Sequence, residues 1–279
     1  MNDCILRTRA VDAVHFSLHI RRWCRQYRSK MSPPNIRPRL IPALPSMNED
    51  QRIAACKTAI AQIYTMLRSS PQQWRSFLAL ARATIASLDS TTLMQQAART
   101  PEQVWITTAL QLIATKDVEN GAVADIASWC SRQWLLILQR DSQNLAALRG
   151  LGQMWLSRAQ PSLARIHAGQ SRAGSESAAE AERRVGAAEY VEARGILQPA
   201  VEYLEKAVAA ASKQSALAGD LLAKAAEAYM SLGNVSSPRS NEQYYRRALQ
   251  LLQRASQIQG YQLPNHLQKY LNDYGKLYK

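Results

Sequence analysis

His15 and His19 stand four residues apart, a spacing that puts two imidazoles on one side of a helix, and Cys4 and Cys24 flank them. Zinc takes these ligand types, but the close cysteine pairs of a zinc finger are missing, so a solvated tail is expected rather than a metal site. Gly150-Leu151-Gly152 is a bare G-x-G inside a helical apolar pattern. It reads as close helix packing, not as a nucleotide cradle. The chain has no G-x-S-x-G, no H-E-x-x-H, no phosphate loop ending in Gly-Lys-Ser/Thr and no G-x-G-x-x-G. Cys56 and Cys130 fall on apolar faces and read as core. No acid–base pair or metal spacing offers a reaction, so neither enzymatic activity nor a cofactor is expected.

The charge is concentrated. The 279 residues carry a formal +14. Residues 1–46 hold nine of the basic side chains and two acids, a net +7. Residues 31–46 contain five prolines, which remove donors and favour extended backbone, so this stretch reads as a linker. Residues 1–46 are thus expected to form a basic tail, mostly disordered. An Arg-rich amphipathic start resembles a mitochondrial presequence, but Asp3, Asp12 and the scarcity of serine speak against one. A start at Met31 or Met47, with the tail as upstream extension, is the other reading. No apolar run is long enough to span a bilayer, and four cysteines without paired spacing fit a reducing compartment. The expected location is cytoplasmic or nuclear, or mitochondrial if residues 1–30 act as a presequence.

From Ser46 onward the apolar period is helical. Ile53, Cys56, Ile60, Ile63 and Leu67 recur at steps of three and four, as do Trp74, Phe77, Leu78, Ala81, Ile85 and Leu88, and then Val123, Ile126, Cys130, Trp134, Ile137 and Leu138. Trp74, Trp134 and Trp155 coincide with these core faces. No alternating run suggests a strand. Ser46–Glu49, Ser70–Gln73, Thr100–Gln103 and Ser240–Gln243 have capping-box spacing, two of them followed by Pro71 and Pro101.

The C-terminal half repeats itself. Residues 181–214 carry Ala187, Ala188, Tyr190 and Val191, a turn glycine Gly195, then Ala200, Leu204 and Ala207. Residues 219–255 follow with Leu222, Ala225, Ala226, Tyr229, Gly233, Tyr245, Ala248 and Leu249. This resembles the tetratricopeptide repeat (TPR), two antiparallel helices in about 34 residues. The likeness is strongest over 181–255, fair over 122–168 and weak before that. Arg184 and Leu222 stand where the pattern has its leading Trp, and the closing Pro is absent. Residues 169–180 read as an inserted loop, and Ser236–Ser240 as a shorter insertion.

The resemblance implies an all-α fold, with antiparallel helix pairs stacked as a TPR-like α-solenoid over residues 47–279. In that family the first helix of each pair lines a concave groove. Those positions would be Glu182, Val185, Glu189 and Glu192, then Asp220, Ala223 and Glu227, five acids and no base. Lys206, Lys213, Arg246, Arg247 and Arg254 would lie outside. The family's carboxylate clamp uses Lys, Asn and Arg, and only Arg149 matches it. The expected function is a non-enzymatic scaffold or adaptor binding a protein or peptide segment in that groove, where the acids would favour a basic one. The alternative is an RNA-binding helical-repeat protein, with nucleic acid reached only through the basic tail.

Overall fold

Thirteen residues separate Ile53 from Met66 along one uninterrupted apolar stripe, and that stripe becomes the buried side of the first helix. A computed structural model describes residues 47–170 and 178–278. The tail, its cysteine–histidine set, the presequence reading and most of the expected 169–180 loop lie outside the described residues. Every element among the described residues is helical, and none is a strand. None is long and apolar enough to cross a membrane. The described residues divide into two compact units, 47–154 and 155–278, where the sequence suggests one repeat domain.

The first unit holds α1 (Glu49–Ser69), a 3-10 segment (Pro71–Phe77), α2 (Leu78–Asp89), α3 (Thr100–Ala114), α4 (Ala124–Arg140) and the start of α5 (Leu145–Gln170). Packing joins α1 to α2, α3 to α4, α1 to α3 and α2 to α4. Three contacts between α1 and the α3 region climb both segments together. Glu49 accepts from the Thr92 backbone N–H at 2.8 Å, Lys57 pairs with Glu102 at 2.6 Å, and Tyr64 stacks on Trp105 at 5.9 Å. Likewise Arg82 pairs with Asp125 at 2.7 Å, and the Trp129 indole donates to Asp89 at 2.8 Å. So α1 runs parallel to α3, and α2 to α4, while consecutive helices run antiparallel. Between α3 and α4 the chain turns at Gly121, whose φ of +78° suits glycine.

The apolar stripes bury as their period requires. Ile53, Cys56, Ile60, Ile63, Phe77, Ala81, Leu88, Ile126, Cys130, Trp134 and Ile137 are core, and Leu67, Leu78, Ile85 and Leu138 are half-buried. Trp74 and Phe77 reach that core from the 3-10 segment rather than from a regular helix. Cys56 and Cys130 are free and buried, and burial pushes both thiols up, so both stay protonated.

The second unit holds the rest of α5, then α6 (Ala178–Val185), α7 (Ala188–Lys213), α8 (Gly219–Asn234), α9 (Pro238–Ser256) and α10 (Asn265–Tyr274). Here α6, α7, α8, α9 and α10 each pack on the next. Ala207 and Ala248 are fully buried at these contacts. Ala207→Leu should therefore cost about 1–3 kcal/mol by overpacking, read from denaturant unfolding; an unchanged midpoint would refute the tight contact.

Local expectations about turns and caps are corrected. Gly195 does not turn the chain: α7 runs unbroken from Ala188 to Lys213 through both Gly195 and Pro199. Its apolar face keeps phase across the glycine, through Tyr190, Ala193, Leu197, Ala200 and Leu204. The turn lies earlier, at Gly186 and Ala187. Ser236–Ser240 is no inserted loop, because α9 already begins at Pro238. The capping boxes shift. Ser46 lies outside the described residues, and Asn48 caps α1, accepting from the Gln51 N–H at 2.9 Å while Gln51 accepts from the Asn48 N–H at 3.0 Å. That frees Glu49 to hold Thr92. Ser70, Thr100 and Ser240 make no side-chain cap: Thr100 instead donates to the Ala97 carbonyl, and Ser240 sits inside α9.

Polar contacts between alternate elements recur at similar separations. Lys57–Glu102 spans 45 residues, Glu49–Thr92 and Arg82–Asp125 span 43, Asp89–Trp129 spans 40, and Gln111 to the Gly150 carbonyl spans 39. In the second unit Glu205–Arg247 spans 42.

Candidate functional site

The continuous α7 changes what the expected acids share. Glu182 lies on α6, across the Gly186–Ala187 turn from Glu189 and Glu192 at the start of α7. Lys206 and Lys213, expected on a separate outer helix, extend from that same α7. Glu182, Glu189, Glu192 and Asp220 are exposed, as a binding acid must be, and Glu192 pairs with Arg165 of α5 at 3.4 Å. Arg149 lies in the other unit, on α5, half-buried.

Glu227 differs from the rest. Its side chain is 19% exposed and is engaged within its own unit: Lys224 Nζ lies 2.5 Å from one oxygen, His266 Nε2 of α10 3.7 Å from the other. Burial alone would raise this carboxyl, but His266 and Lys224 outweigh it and hold it below the usual carboxylate range. Glu227 is therefore drawn into its own unit, toward Lys224 on α8 and His266 on α10, where its spacing suggests an exposed groove acid. Ala223 is buried too. Asp220 and Glu227 bracket Tyr261, whose phenol is pushed up by burial first and these carboxylates second.

Among the described residues no cluster of His, Cys, Asp and Glu is placed to hold a metal ion. The arrangement that presents unused binding chemistry is apolar. Trp105 projects from α3 and is 36% exposed, stacked on Tyr64 of α1 with 23° between the rings. Leu112, seven residues on and therefore on the same side of α3, is 42% exposed. Pro101 and Thr108 complete this stripe, and Thr58, Ala61 and Thr65 of α1 are exposed or half-buried. The nearby charges are paired off: Glu102 holds both Lys57 and Arg99, and those bonds, Arg99 first, lower its carboxyl to about 2. This surface is absent from the sequence expectations. Its signal is a phase conflict: Ile106, Leu110 and Ile113 define the buried side of α3, and Trp105 and Leu112 stand off it.

The outer side of α9 is the opposite in character. Arg239, Gln243, Arg246, Gln250 and Arg254 are exposed along it, and Arg246 pairs with Glu242 at 3.1 Å. Arg247, expected among these outer cations, is half-buried and bridges to Glu205 of α7. Trp74, Trp129 and Trp134 are core, whereas Trp155 is half-exposed under the Arg158 guanidinium at 5.2 Å.

No family model, no curated protein and no solved structure matches this chain.

Proposed function

We propose that residues 47–279 are a TPR-like helical-repeat scaffold, a stack of antiparallel helix pairs with no enzymatic role, and that it binds a segment of another protein. Parallel alternate helices and the recurring separation of polar contacts support the stacked arrangement. The observation that carries the binding role is the half-exposed Trp105 on Tyr64, with Leu112 one heptad beyond. Seven helical residues cover about 10.5 Å, close to the ~9 Å of one polyproline II turn, which brings every third side chain back to the same face. A segment with apolar side chains at i and i+3 fits both anchors. Tryptophan on a rigid support is the residue type that dominates protein interfaces. The exposed acids Glu182, Glu189 and Glu192 favour a segment that also carries basic residues.

Peptides selected by display against the full chain provide the probe. They should share two apolar positions three apart, and Trp105→Ala should weaken them by about thirtyfold or more, the scale of an interface hot spot. Loss of the Tyr64 stack costs about 0.5–1.5 kcal/mol of stability, so the variant should still fold. Selected peptides that bind the variant unchanged would refute this surface.

A further inference from the structure

The outer side of α9 points to a second binding surface. Its exposed residues fall at i, i+4, i+7, i+11 and i+15: Arg239, Gln243, Arg246, Gln250 and Arg254. Helical geometry puts positions so spaced on one face, and the three guanidinium groups along a line of about 22 Å. The buried side of the same helix is Ala248, Leu249, Leu251, Leu252 and Ala255, so the arginine face is fixed outward by the core. Arg239, Ser240, Glu242, Gln243, Arg246, Arg247 and Gln250 line an open cleft of about 580 Å³. Its one carboxylate, Glu242, pairs with Arg246 at 3.1 Å, and Arg247 bridges to Glu205, so cations outnumber acids along this face.

We infer that this face binds the phosphate backbone of nucleic acid without regard to sequence. Guanidinium groups grip phosphate oxygens through two bonds, and glutamine and serine side chains are common phosphate and sugar donors. An acidic protein segment is the competing occupant. Protein interfaces are built around buried aromatic and aliphatic anchors, and the exposed residues of this stripe supply none. Phosphate binding needs no such anchor, because counterion release drives it. This inference is independent of the protein-binding surface on α1 and α3, and it places nucleic-acid contact on α9 in addition to the basic tail.

The test uses the full chain and a fluorescein-labelled 20-nucleotide uridine RNA, with anisotropy titrations between 50 and 200 mM KCl. The variant is Arg239→Gln/Arg246→Gln/Arg254→Gln. The control, Arg68→Gln/Lys116→Gln/Arg132→Gln, removes the same charge from exposed positions of the other unit. Each lost phosphate contact lowers the slope of log affinity against log salt by about 0.7, so the variant's slope should fall by about 2. Affinity of the natural chain should then drop about twentyfold more than the variant's over that salt range. The control should keep the natural slope. Equal slopes for variant and control would overturn the proposal, leaving net charge as the only attraction. A 20-residue polyglutamate that displaces the RNA as well as unlabelled RNA does would overturn it in favour of an acidic protein partner. Should the triple variant lose its helical circular dichroism, Arg239→Gln and Arg254→Gln singly should each lower the slope by about 0.7; unchanged slopes would equally refute the site.

Discussion

Gly150→Val should destabilise the first unit by about 3 kcal/mol, whereas Gly195→Ala should stabilise the second. Both glycines lie inside helices, and on propensity alone each replacement by alanine would gain up to about 1 kcal/mol. Their surroundings differ. A Cβ on Gly150 would come within 2.5 Å of the Trp134 indole nitrogen. That indole is almost fully buried and donates to Gln111 Oε1 at 2.5 Å, while Gln111 Nε2 donates to the Gly150 carbonyl at 3.0 Å. The ring is therefore pinned and cannot swing aside without breaking a buried bond. Gly150→Ala should lose about 1–2 kcal/mol, since the overpacking exceeds the propensity gain. A Cβ on Gly195 meets nothing within 4 Å. Denaturant unfolding followed by tryptophan fluorescence reports mainly the first unit, which holds Trp74, Trp105, Trp129 and Trp134, and helical circular dichroism reports both units. Equal shifts of the same sign for the two alanine variants would refute the close approach at Gly150.

Glu227→Ala should cost about 2–3 kcal/mol in the second unit, far more than loss of any other acid placed in the expected groove. It strips Lys224 of a partner 2.5 Å away and releases His266, the link from α8 to α10. Glu192→Ala breaks only an exposed pair with Arg165 and should cost at most about 0.5 kcal/mol. The acid side of the stability curve should also change. The Glu227 carboxyl is held below its ordinary value in the folded chain, so its contribution is complete above about pH 4.3. It fades as pH falls from there toward the lowered folded value. The gap in stability between natural chain and variant should therefore narrow below pH 4.3. The Glu102 carboxyl, held at about 2, contributes equally to both proteins and cancels in the difference. Hydrogen exchange of α10 amides provides the local readout; protection unaltered in Glu227→Ala would show that the pair does not hold α10.

The legible part of this fold was its local part. The stripes through Ile53–Ile63 and Ile126–Ile137 marked helices because burial on one side leaves a period that any window can detect. Gly195 misled because a glycine is also tolerated in mid-helix, and only the unbroken phase of Tyr190, Ala193 and Leu197 distinguishes the two uses. The cap at Asn48 was hard to single out because several hydroxyl and amide side chains near one helix start offer the same chemistry. The inward place of Glu227 was illegible, since its partner His266 comes 39 residues later from an element whose approach no spacing encodes. Trp105 was hidden for the converse reason: a tryptophan off the buried stripe looks like packing until the neighbouring helix proves to support just one of its faces.

The separations of the polar contacts also bear on how the chain finds its structure. Hydrogen-bonded contacts between neighbouring helices span as few as nine residues, at Arg194–Val185, and contacts between alternate elements as many as 45, at Lys57–Glu102. Closing a loop costs about 0.6 kcal/mol more for each doubling of its length, so the widest of these closures costs only about 1.4 kcal/mol more than the narrowest. Among the described residues none of these contacts waits on a distant end of the chain. Within each unit, ordering can begin at whichever helix pair forms first and advance one neighbour at a time, with entropic barriers that differ little from one closure to the next.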